Sequence, residues 1–279
     1  SAGGQPTDAD KPPFATLTTP PPPITTIDDP PIMNLTPDGK TLTYPLAISG
    51  PNSQAWLEAD SAELKKLFLI LKCLVPTLHP NSNPTYFKRV VKEKWDHDRQ
   101  VIKRRVRGTA GGDRITVPYS CSTPTASMSL VKMLLNAVVS ENKNFGTIDI
   151  VDYYLGADLP ATGNDRPSLK IYLDRYPPHL LTELGLDPFV QKDKYDKPFV
   201  YADIVKTVAG LPQSGLLSQL RLISHLNSYG YYETSTPMLF RHETLDIQFV
   251  LVVDDFGIKF DKKKDFDHLV DCLTDMYDV

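Results

Sequence analysis

Apolar positions along the chain switch between helical and extended spacing. Ser53 can cap a helix in which Leu57, Leu64, Phe68 and Leu71 recur near the helical period, and Pro76 ends it. Segments 86–94 and 101–107 are rich in strand formers and are joined by the polar turn Asp96-His97-Asp98-Arg99, which predicts a hairpin. Gly108, Gly111 and Gly112 then read as a flexible connector. Ser122-Thr123-Pro124 introduces a helix through Val139 with Val131, Leu134, Leu135 and Val138 on one side, and 147–155 reads as a buried strand. Leu216, Leu217, Leu220, Ile223 and Leu226 mark a further helix closed by Gly230. Strands over 247–253 and 257–260 meet at Asp254-Asp255. A final helix carries Phe266, Leu269, Val270 and Leu273 at i, i+3, i+4 and i+7. Helices and strands are interspersed without βαβ regularity or internal repeats, so the predicted class is α+β.

Composition narrows this picture. The 279 residues are 41% hydrophobic and 23% charged, enough for one large domain or two small ones. Residues 1–50 hold eleven of the 25 prolines, including Pro20 to Pro23. Such a stretch buries too little apolar surface to offset its ordering entropy and reads as disordered. No apolar run exceeds five residues, so no membrane span is expected, and no secretory leader opens the chain, which reads as a fragment. Cys73, Cys121 and Cys272 are too few and too scattered for a disulfide scaffold or zinc knuckle. They predict free thiols in a reducing, intracellular setting.

The net charge of −4 argues at first against a nucleic-acid partner. Between Tyr86 and Arg114, however, ten basic residues face only four acids. That segment carries +6 and leaves −10 on the rest, and local asymmetry of this kind governs polyanion binding.

Candidate chemistry centres on carboxylates. Asp254-Asp255 sits between two apolar strands, where adjacent acids repel unless a cation is present, and hard divalent ions prefer such oxygen ligands. Asp-Asp also serves as plain turn residues, as Asp28-Asp29 does, but only the later pair is framed by strands. Asp149 projects from an apolar strand opposite Ile148 and Ile150, which suits a cleft or a cation ligand. Asp152 faces away from it by the two-residue period and is the weaker candidate. Gly210-Leu211-Pro212-Gln213-Ser214-Gly215 forms a turn into a helix, with the Gln213 amide at its entrance.

In this order and spacing the pieces resemble reverse transcriptases of LTR retrotransposons, most closely the copia type. The resemblance runs from about Trp56 to Val279. It rests on Val90-Val91-Lys92-x-Lys94, Lys103-Arg104-Arg105-Val106-Arg107-Gly108, Ser122-Thr123-Pro124-Thr125-Ala126, Asp149-Ile150-x-x-x-Tyr154-Leu155-Gly156, Gly210-Leu211-Pro212-Gln213 and Val253-Asp254-Asp255. It departs at Val252 and Ala209, where relatives usually carry Tyr.

The resemblance implies a right-hand polymerase fold, with an antiparallel palm sheet backed by helices. Fingers would occupy 51–123 and 157–212, and palm 124–156 and 213–279. No thumb or RNase H is expected within the chain. Asp149, Asp254 and Asp255 would be the catalytic acids, holding two Mg²⁺ ions (or Mn²⁺) with the Ile150 carbonyl. One ion would activate the primer 3′-hydroxyl and the other would hold the triphosphate. Tyr154 would gate the sugar, Gln213 would contact the incoming dNTP, and Arg105, Arg107 and Lys103 would hold its phosphates. Lys88, Arg89 and Lys92 would steady the template, and Val252 and Val253 would face the primer end. Implied partners are an RNA or DNA template with primer, dNTPs and the remaining Pol polyprotein (integrase and RNase H), with no membrane. The setting would be a cytoplasmic particle or the nucleus. The rival reading is a degenerate retroelement fragment that only binds nucleic acid.

Overall fold

The computed structural model describes residues 41–80, 83–95, 101–159 and 166–279. Its class is mixed α+β. Among the described residues two sheets form, and each has its own apolar core.

The first sheet has six strands: β1 (Leu74–Thr77), β2 (Thr85–Trp95), β3 (Val101–Ala110), β5 (Ser168–Tyr172), β6 (Gln191–Lys192) and β7 (Pro198–Ile204). Their order is β1-β7-β5-β2-β3, with β6 on β7, and the β2–β5 pair is parallel. The long β2–β3 hairpin matches the predicted one, with Val91 opposite Val106 and Lys92 opposite Arg105. Its predicted turn, 96–99, lies outside the described residues. Helix α2 (Ser53–Lys65) covers β3 and continues through a π-helical turn, Lys66–Ile70. Glu63, buried on α2, accepts the Gly108 N–H of edge strand β3 at 2.9 Å.

The second sheet has five strands in the order β4-β11-β10-β9-β8, all antiparallel. They are β4 (Asn144–Asp149), β8 (Tyr231–Glu233), β9 (Leu239–His242), β10 (Ile247–Val252) and β11 (Asp255–Phe260). Helices α3 (Met128–Ser140), α5 (Ser214–Ser228) and α6 (Lys263–Thr274) complete this half, while the short α4 (Pro178–Glu183) packs in the first. The period read for α6 holds: Leu269 and Leu273 are fully buried, with Phe266 and Val270 packed beside them.

Several sequence expectations are corrected. The first helix ends before Leu71, and Pro76 lies in edge strand β1, where a missing N–H is tolerated. Its N-cap is Asn52, with Ser53 inside. Order extends upstream of residue 51: α1 (Tyr44–Ser49) buries Ala47 and Ile48 against Trp56, Val91 and Val106. Helix α3 begins at Met128 under a Ser127 cap that accepts Leu130 N–H, and Leu135 is exposed. On α5 Leu220 is exposed, while Ser218, Gln219 and His225 are buried.

The glycine connector is also corrected, because Gly108 lies in β3 against the Phe87 ring, Gly111 packs on Tyr86 and Gly112 is packed against backbone. A Cβ on Gly112 would stand 2.1 Å from the Gly210 carbonyl oxygen, and one on Gly210 would stand 2.2 Å from that of Ala110. Gly210 adds a φ of +91°. Gly210→Ala is therefore expected to cost about 2–3 kcal/mol, through clash and left-handed strain together. Gly185→Ala, at φ +66° in open space, pays only the strain, about 1 kcal/mol. Chemical denaturation of both variants checks the contrast, and equal midpoints would refute it.

Candidate active site

The three candidate aspartates come from strand ends of the second sheet. Asp149 closes β4 and Asp255 opens β11, and they are cross-strand partners, so their side chains leave the sheet on one face. Asp254 lies in the two-residue loop Val253-Asp254, closed by the Val252–Asp255 pair. Within that loop only Val253 has positive φ, +65°, as in a type II′ turn whose first position normally goes to glycine. A β-branched side chain there is strained. The loop is tied to β4 by the Ile150 N–H, which donates to the Asp254 carbonyl at 3.2 Å.

These acids share an electrostatic field. The Asp255 carboxyl is pushed above the usual aspartate value by desolvation first, then by Asp254 and Asp149. A raised folded-state value means that ionised Asp255 opposes folding at neutral pH, and the penalty vanishes as pH falls through the carboxylate range. Asp255→Asn is accordingly expected to raise the thermal midpoint modestly at pH 7 and to lose that gain in acid. Melts across pH check this, and a gain that persists in acid would contradict it.

Asp149 and Asp254 line a cavity of about 400 Å³ together with Ile150, Val151 and Asp152. Its basic wall includes Lys103, Arg105 and Arg107 from β3, with Lys66 from the π-helical turn. Arg105 and Arg107 also border a second cavity of about 420 Å³ with Lys92, Tyr154 and the Ala209-Gly210-Leu211 turn. The two cavities thus join along β3 into one cleft with an acidic floor and a basic wall. Tyr154 lines the second of them, beside Arg105 and Arg107, which both share. Its phenol is pushed up by burial first and next by Asp254, against the pull of Arg107.

A divalent ion can be weighed on these donors. Among the described residues no group of three or more His, Cys, Asp or Glu side chains is arranged to hold a metal by itself. Of the four carboxylates lining the cavity, Glu63 and Asp152 are engaged by Lys66, Arg105 and the Gly108 N–H, so the donors offered to a cation are Asp149 and Asp254, beside Ile150. That set suits Mg²⁺, which commonly takes one or two carboxylates and completes its shell with water and substrate phosphates. It does not suit a closed, all-protein site.

The remaining sequence candidates divide. Lys88 is exposed on β2, and Lys92 lines the second cavity. Val252 and Val253 are half-buried against the second core and border neither cavity. Gln213 is buried at the entrance of α5, its Oε1 without a hydrogen-bond partner, and it too borders neither cavity.

Arg89 is corrected outright, because it is not available to a template. Its Nε donates to buried Asp60 at 2.8 Å and its Nη2 to the Tyr176 hydroxyl at 2.6 Å. The guanidinium also packs against the rings of Tyr44, Phe87 and Tyr176. It is part of the first half's framework.

Asp152 is the residue that sequence periodicity misjudged. The predicted 147–155 strand stops at Asp149, and Asp152 adopts φ +55° in the turn that follows. The two-residue alternation therefore does not apply to it. Its carboxylate meets Arg105 Nη2 at 2.8 Å and Lys66 Nζ at 2.9 Å. Only the distant pairing of β3 and the π-helical turn reveals this.

Comparison with protein families and with curated proteins gives no match. Among solved structures the chain is similar to apo telomerase from Candida tropicalis truncated from its C-terminal domain, at 11% identity and a TM-score of 0.39. The match covers 80% of this chain and 52% of that one, so the chain spans about half that structure's length. A superposition this loose carries no argument about mechanism.

Proposed function

We propose that the chain is the fingers and palm part of a retroelement reverse transcriptase of the copia type, adding dNTPs to a primer 3′-hydroxyl on an RNA template. The first sheet with its helices would be the fingers, and the second the palm. The observation that carries this reading is the cleft itself: Asp149 and Asp254 line one cavity with Arg105 and Arg107, and Tyr154 lines the next with the same two arginines. The collinear motifs in the sequence support the same reading independently.

Nucleotidyl transfer needs a seat for a triphosphate, a seat for a sugar and acids at the reacting phosphorus. Arg105 and Arg107 present forked donors that match phosphate geometry, with Lys103 beside them. Tyr154 lines the second cavity, whose volume lies in the range of small-molecule sites. A ring there would exclude a sugar 2′-hydroxyl by shape. Asp149 and Asp254 would hold Mg²⁺, which when bound supplies the activation of the 3′-hydroxyl and the neutralisation of the leaving pyrophosphate. The strained Val253 turn and the Ile150–Asp254 hydrogen bond hold the Asp254 backbone in place before substrate arrives.

Primer extension on an RNA template, with dNTPs and Mg²⁺, tests the proposal. Template-dependent extension supports it, and the absence of both extension and dNTP binding overturns it. A second reading, an inactive fragment that only binds nucleic acid, draws on the lack of a three-acid group among the described residues. It predicts duplex binding that weakens steeply with salt, without turnover.

A further inference from the structure

Asp152 has no part in the chemistry just described, yet its carboxylate lies inside the cleft. It lines the same cavity as Asp149 and Asp254, and its oxygens are divided between the two halves of the basic wall. Oδ1 accepts from Arg105 and Oδ2 from Lys66. Lys66 is shared in turn with Glu63 at 2.7 Å, and Glu63 is committed to the Gly108 N–H. Asp152 is therefore the acid that compensates Arg105, while Lys66 has a second partner.

We infer that Asp152 is a stand-in anion: with no polyphosphate in the cleft it occupies the Arg105–Lys66 seat, and a polyphosphate chain must displace it to bind. This rests on reading the cleft as a polyphosphate site. An arginine turned toward solvent with no counter-ion would sample many rotamers, and ordering it would be charged against binding. Holding it on Asp152 keeps the guanidinium inside the cleft. The contact is weak enough to exchange, since the Arg105 and Asp152 side chains are 36% and 20% exposed, and partly solvated pairs are worth little. A phosphate chain offers several oxygens to both cations where Asp152 offers two, so the exchange runs toward the ligand.

The test is calorimetric titration with inorganic tripolyphosphate, free of metal and nucleic acid. Asp152→Asn is expected to bind it roughly two- to tenfold more tightly than the unaltered protein, an advantage that shrinks with added salt. Asparagine tolerates the left-handed backbone at 152, and thermal unfolding confirms that the variant is folded. Should it fail to fold, Asp152→Gly, equally suited to that backbone, replaces it. In an Arg105→Met background the Asp152 change is expected to give little, because the seat has lost its principal donor. Equal or weaker binding by Asp152→Asn overturns the inference, as does an undiminished gain without Arg105. If the unaltered protein ignores tripolyphosphate, the polyphosphate reading of the cleft fails, and the inference falls with it. If it binds but Asp152 has no influence, the inference alone fails.

Discussion

Asp149→Asn and Asp254→Asn are each expected to lower primer extension by about a thousandfold or more, with the fold left intact. The magnitude follows from what the residues face. They are the acids opposite Arg105 and Arg107 in the cleft, and losing either removes half of the charge that could hold a cation at the reacting phosphate. Loss of a single pre-oriented electrostatic contact at a reacting centre costs about 10²–10³ in rate, and loss of a metal ligand costs at least as much. The substitution conserves shape. Asp149 is exposed at a strand end and Asp254 half-exposed in a turn, so thermal unfolding is expected to barely change. Extension assays beside melting curves decide the matter, and extension surviving both changes would remove these acids from any catalytic role.

A second large effect belongs to a residue that borders neither cavity. Asp60→Ala is expected to destabilise the chain by about 3–5 kcal/mol. Asp60 is fully buried, and its Oδ2 accepts from Arg89 Nε at 2.8 Å and from the Tyr176 hydroxyl at 2.6 Å, with Tyr44 donating to the same oxygen. Removing the acid leaves the Arg89 guanidinium, only 12% exposed, without its counter-ion, and breaking one side of a buried pair costs that much. The other oxygen, Oδ1, has no partner, so the network is already imperfectly satisfied. Replacing both members with apolar residues, Asp60→Leu with Arg89→Met, is expected to restore much of the loss. Urea denaturation of the single and double variants measures it; a loss below about 1 kcal/mol for Asp60→Ala would mean that the pair is not a cornerstone.

The sequence was legible where structure is local. The 3.6-residue period of Leu269, Val270 and Leu273 and the strand-forming composition of 86–94 and 101–107 depend only on neighbours a few positions away, and both elements form. Arg89 shows the limit. Grouped with Lys88 and Lys92 it was assigned to the template, but its partners are Asp60 on α2 and Tyr176 beyond β5. No periodicity signals such a meeting. Asp152 failed for a different reason: the face of a residue was inferred from a strand that had already ended. The packed glycine at 112 was misread because flexibility and close backbone approach use the same residue type. At the cleft, Asp149, Asp254, Arg105, Arg107 and Tyr154 were all picked out by motif, whereas their convergence on common cavities needed the tertiary fold.

The pairing of β4 with β11 also bears on how the molecule is made. Asp149 and Asp255 are neighbours across a ladder, yet β5, β7 and α5 all lie between them in the chain. During synthesis the first acid emerges long before its partners, and β4 must wait for β11 before it has a strand to pair with. Repulsion among the carboxylates is thus postponed until the surrounding core can bear it. The site therefore cannot assemble until everything between β4 and β11 has been made.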